Sequence, residues 1–273
     1  MRIRISHLTE YAYDEPVEFS LQRLRLFARN APGQIVHDWA VSVEGAAVEA
    51  RYDDHFGNRV ELVSPRSGAT TITVKAEGTV TTTDLHGVFG PHQGHVPLWL
   101  FLRETPLTRA GKLVRDLARK VTGDGELARC HALMGLVHDQ IAYKTGETGI
   151  ETTAEQALER KSGVCQDHAH AFIAGARALG IPARYISGYL HNGDTHQVAS
   201  HAWAEAHVTG LGWVGFDPAN KICPGEAYVR LANGLDYTDA APISGMRHGH
   251  ATETMTISVT VEDLGQSQSQ SQS

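Results

Sequence analysis

The chain has 273 residues, 41% of them apolar and 20% charged, and carries a formal net charge of −7. It exceeds the roughly 100–200 residues of a usual domain, so two cores are expected. The charge lacks the basic excess that favours nucleic acid or anionic lipid, and no apolar run approaches the ~20 residues that span a membrane, so neither partner is expected. Met1–His7 is too polar for a signal peptide, and three cysteines cannot all pair within one chain, so a cytoplasmic protein with free thiols is expected.

Strand-like alternation runs from residue 2 to about 81, with Ile35, Trp39, Val41 and Val43 on one register and Ile72, Val74, Ala76 and Val80 on another. This predicts an antiparallel β domain over 1–85. Residues 86–108, rich in proline, glycine and histidine, read as a linker that begins or wraps the second domain, 109–263. Helical spacing resumes with Leu113, Leu117 and Val121, then with Cys130, Met134, Val137 and Ile141. Thr153-Ala154-Glu155-Gln156 has the spacing of a capping box and predicts a short helix.

Lys161–Ala174 reads as a loop running into a helix that stops at Gly180 and Pro182. Cys165 thus falls in the first turn, where unpaired N–H groups and the positive end of the helix dipole favour a thiolate or an oxyanion. Ser200–Val208 alternates as a strand opening on His201, and Trp213–Phe216 reads as its hairpin partner, ending at Asp217. A turn centred near residue 210 or 211 leaves His201 and Asp217 out of direct opposition, which calls for a bulge at Gly212 or Gly215. Met255, Ile257, Val259 and Val261 alternate as a last strand, and residues 264–273 form a Gln/Ser tail too polar to pack.

Thiol, imidazole and carboxylate together supply a nucleophile, a base and a group to orient the base. Cys130 and Cys223 read as structural. Among sixteen histidines the clusters His86/His92/His95, His168/His170 and His248/His250 invite a metal. His168 and His170 point about 200° apart on a helix, however, and no cluster has ligand spacing, so no metal or other cofactor is expected.

Four stretches resemble the transglutaminase-like superfamily, whose core is a papain-like thiol fold: Gly163–Asp167, Arg177–Tyr185, Ser200–Glu205 and Gly212–Pro218. The resemblance covers roughly residues 110 to 262, and the bacterial branch also carries an N-terminal β domain. It implies an α+β fold, in which an antiparallel β domain precedes a catalytic core of helices packed on an antiparallel sheet. Cys165 becomes the nucleophile, His201 the base and Asp217 the orienter. Gln166 and Tyr143 are candidate oxyanion donors, and Trp203 is a candidate pocket wall. Where the branch usually reads Asp-Pro-Thr-Asn and Gly-Arg-Asp-Tyr, this chain has Asp217-Pro218-Ala219-Asn220 and Gly234-Leu235-Asp236-Tyr237. The implied chemistry is acyl transfer from a peptide or protein amide through a thioester on Cys165. Hydrolysis by a protease, amidase or deamidase is favoured, transamidation by a transglutaminase is the alternative, and a catalytically silent binding module is the rival of another class. Substrate and oligomeric state stay open.

Overall fold

The computed structural model describes residues 1–193, 196–197 and 200–265. The expected tail lies, from Gln266 onward, outside the described residues. The chain opens with strands β1 (Arg2–Tyr13), β2 (Phe19–Leu24), β3 (Gln34–Glu44), β4 (Ala46–Asp53), β5 (Arg59–Pro65), β6 (Thr71–Thr82) and β7 (Val88–Gly90). Helices α1 (Lys112–Arg119) and α2 (Gly125–Gln140) follow, then the two-residue strand β8 (Ala142–Tyr143), α3 (Ala154–Arg160), β9 (Ser162–Gly163) and α4 (Cys165–Ala178). The remainder is β10 (Ala183–Leu190), β11 (His196–Gln197), β12 (His201–Val208), β13 (Gly212–Phe216), β14 (Tyr228–Gly234), α5 (Tyr237–Ala240), β15 (Ile243–His248) and β16 (Glu253–Asp263). Three larger sheets result, ordered β11-β16-β1-β6-β3, β14-β10-β12-β13-β7 and β15-β2-β5-β4, and all their pairings are antiparallel.

The α+β class follows from period. β1 alternates exposed and buried residues so that Ile3 and Ile5 have no exposure, while α4, buried from Gln166 to Arg177, packs on β10 and β12 as the central helix. Gly180, at φ +77°, ends α4 in the left-handed conformation that glycine takes most readily. Thr153 and Gln156 complete the capping box of α3, each side chain meeting the other's backbone N–H.

Four expectations need correcting or extending. In α1 the buried face is Val114, Leu117 and Ala118, whereas Leu113 is exposed and Val121 lies past the helix end. In β3 a bulge between Val36 and Asp38 shifts the alternation, so Val36 joins Trp39, Val41 and Val43 against the core and Ile35 turns outward. The hairpin β12–β13 has no bulge: Ala204 stands opposite Phe216 and Val208 opposite Gly212, centring the turn on Gly210. Finally, strand pairing crosses the boundaries drawn at 85 and 108: β16 pairs with β1, β15 with β2, and β7 with β13.

Candidate active site

The hairpin register explains how Asp217 reaches His201. With the turn on Gly210, the ladder extrapolates to Trp203 opposite Asp217, so Asp217 and His201 are diagonal neighbours on one face, within reach of long side chains. A displacement of two residues keeps the face that a displacement of one would lose. His201 Nε2 donates to Asp217 Oδ2 at 2.7 Å, which leaves Nδ1 as the second ring nitrogen.

Asp217 has no exposure, and its carboxylate is saturated. Oδ2 also accepts from Asn220 Nδ2 and from the Tyr228 hydroxyl, each at 2.7 Å, and Oδ1 accepts the backbone N–H groups of Ala219 and Asn220 at 3.0 and 3.3 Å. Burial pushes the Asp217 carboxyl up, but hydrogen bonds from His201, Asn220 and Tyr228 outweigh it and hold the group below its usual value. Burial pushes His201 down, yet the hydrogen bonds and charges of Asp217 and Cys165 win, raising the imidazole to about 10. The Trp203 indole stacks on the His201 ring, with centroids 6.3 Å apart, and meets Tyr228 edge-on at 5.3 Å.

Cys165 opens α4, preceded by the extended Val164. Asp167 Oδ2 accepts the Val164 N–H at 2.8 Å and the Thr148 hydroxyl at 2.7 Å, closing the loop onto the helix. Cys165 and His201 line one cavity of about 300 Å3 with Gln166 and Tyr143. The Gln166 side chain is held, because its Nε2 donates to the Ile150 carbonyl at 3.2 Å. Tyr143 is half exposed and stacks on His168, and burial followed by the charges of Cys165 and Asp217 pushes its hydroxyl up to about 12. Trp203 does not line this cavity, so the expectation of a pocket wall is corrected: its ring backs His201 from a neighbouring cleft, because the flat face of a strand tryptophan packs on the next inward side chain along the strand.

Of the histidine clusters, His168 and His170 are otherwise engaged. His168 places its ring nitrogens 2.8 and 2.9 Å from the carbonyls of Val164 and Ile141, and buried His170 accepts the Tyr237 N–H at 3.2 Å. Among the described residues no group of three or more His, Cys, Asp or Glu is placed to hold a metal, and no helix is long and apolar enough to cross a membrane. Two partners of Asp217 escaped sequence reasoning. Asn220 stood in a motif but had no assigned bond, and Tyr228 carries no local signal, since only the pairing of β14 with β10 places its hydroxyl within reach of the carboxylate.

Thus a cysteine at the first position of a helix and a histidine held by a buried carboxylate share one cavity. Residues 112–218 match the transglutaminase-like superfamily core, and residues 3–81 match the bacterial transglutaminase-like N-terminal region. The chain belongs to the transglutaminase-like superfamily. An uncharacterised protein of Mycobacterium leprae (strain TN) is 31% identical over 278 residues, spanning 96% of this chain and 99% of that one. A protein-glutamine gamma-glutamyltransferase of Pseudomonas aeruginosa is 31% identical over 126 residues, which are 41% of this chain and 19% of that one. A crystal structure from Cytophaga hutchinsonii, provisionally designated a cysteine protease, shares the fold with a TM-score of 0.77 at 24% identity, covering 96% of this chain and 91% of that one.

Proposed function

We propose that this protein is a cysteine-dependent acyl-transfer enzyme acting on amide bonds, with Cys165 as nucleophile, His201 as acid and base, and Asp217 as orienter. The observation that carries this reading is His201, bonded at Nε2 to a buried, saturated carboxylate and sharing a cavity with Cys165, its imidazole raised first by Asp217 and then by Cys165. A raised imidazole holds the proton taken from the thiol. The Cys165 sulfur attacks the amide carbonyl carbon, the C–N bond breaks, and His201 passes its proton to the departing amine. The carbonyl oxygen becomes an oxyanion beside the first turn of α4, where the N–H groups of Cys165 and Gln166 have no intrahelical partner. Tyr143, across the cavity mouth, is a further donor.

A thioester remains on Cys165. Water, deprotonated by His201, then releases the acid and restores the thiol. Hydrolysis is favoured because, among the described residues, no Asp or Glu lines the cavity to hold an attacking amine. Transamidation stands as the second reading, on the likeness over 126 residues to a gamma-glutamyltransferase. Purified protein should be offered a library of peptide carboxamides with and without a primary amine, and the products weighed. Acid products in both conditions are expected, and amine adducts would move the assignment to transamidation. Turnover that survives Cys165→Ala would overturn the proposal.

A further inference from the structure

The cavity over Cys165 is completed by strands from the far ends of the chain. The inward face of β1 carries Ile3 and Ile5, both with no exposure, and then His7, Thr9 and Tyr11. β16 runs antiparallel beside it, with Val261 opposite Ile5, Val259 opposite His7, Ile257 opposite Thr9 and Met255 opposite Tyr11. Directly opposed residues share a face, so a single ladder face begins as core and ends as cavity wall. Tyr11, Ile257 and Met255 line the cavity together with Ile243. Met255 is 52% exposed, an apolar side chain left uncovered at the rim.

Among the described residues, no Asp, Glu, Lys or Arg lines the cavity. The second histidine there, His7, is 3% exposed, with Nδ1 2.8 Å from the Tyr189 hydroxyl and Nε2 3.1 Å from the Thr9 hydroxyl. Burial holds it near 4, so it is neutral. Against the β1–β16 wall, away from His201, a charged group would shed water without gaining a partner among the described residues, whereas an apolar group would exchange water for tyrosine, isoleucine and methionine surface.

We propose that β1 and β16 form the specificity wall of the site, selecting an uncharged apolar or aromatic group beside the amide that Cys165 attacks. The inference rests on Cys165 being the nucleophile, and it gives the two terminal strands a role in choosing the substrate.

The test needs no natural substrate. Alkylation of Cys165 is followed by peptide mass spectrometry with iodoacetamide, N-benzyl iodoacetamide and N-(4-carboxybenzyl) iodoacetamide, each rate divided by that of N-acetylcysteine with the same reagent. The benzyl reagent should gain about tenfold over iodoacetamide, the scale expected for burying part of an aromatic ring, and should outpace its carboxylated analogue. Met255→Lys combined with Ile257→Lys should bring the benzyl advantage down to about one, while Ile35→Lys, on the outward face of β3, should leave it unchanged. A reactive Cys165 without benzyl preference, or a preference that survives the double lysine variant with its melting temperature intact, overturns the wall. A Cys165 inert to all three reagents overturns the nucleophile and the wall together.

Discussion

Asp217 carries five hydrogen bonds and no exposure, so its charge is held by protein donors in place of water. Replacement by Asn keeps the size but returns a donor toward His201 and removes the charge that stabilises the imidazolium. The expected loss in kcat is about 10²–10⁴-fold, smaller than that of Cys165→Ala. The pair also makes stability depend on pH. His201 is raised from 6.5 to about 10, so its stabilising contribution is complete below 6.5 and is lost as pH rises through about 10. Asp217 is lowered from 3.8, so its contribution is complete above that value and is lost as pH falls through the folded value. The melting-temperature gap between wild type and Asp217→Asn should therefore be widest between about 4 and 6.5 and should close toward pH 10; a gap independent of pH would refute the pairing. Cys165, His201 and Asp217 were legible because each sits in its own short motif. Tyr228 was not, because its bond to Asp217 joins two segments that only the folded sheet brings together.

The start of α4 is the element on which the proposed chemistry depends. Gly163 precedes it in β9, and a Cβ there would lie 2.6 Å from Asp167 Cβ and 2.7 Å from its Oδ2, the atom that accepts the Val164 N–H. Gly163→Ala should displace that carboxylate, cost about 1–3 kcal/mol by overpacking, and slow Cys165 alkylation by shifting the first turn. Urea unfolding and the alkylation rate would check this, and a variant unchanged in both would show that the loop can yield. Helix punctuation was readable in this region because Gly180 and Pro182 act locally. The outward turn of Ile35 was not, since a bulge is set by pairing with β6 and leaves no mark on β3's own alternation.

At the scale of the whole molecule, the two ends of the chain meet. β1 and β16 pair from Ile3 opposite Asp263 to Tyr13 opposite Glu253, and β15 extends the sheet of β2. Alternation told which residues of these strands face inward but not which partner each takes, because period two carries no address across some 250 residues of chain. Residues 1–85 alone would leave β1 and β2 each with only one of its two neighbours, so that fragment should give no cooperative melt by far-UV circular dichroism; a sharp transition would show that the β segment is self-sufficient. The central claim remains that one thiol of three is the nucleophile. Burial pushes Cys130 up to about 12 and Cys223 above its usual value, whereas Cys165 opens a helix beside His201. The deciding measurement is the alkylation rate of each cysteine at neutral pH, read by peptide mapping in wild type and in His201→Ala. Cys165 should react at least about tenfold faster than either other thiol and lose that advantage without His201; equal rates, or an advantage that persists in the variant, would contradict the account.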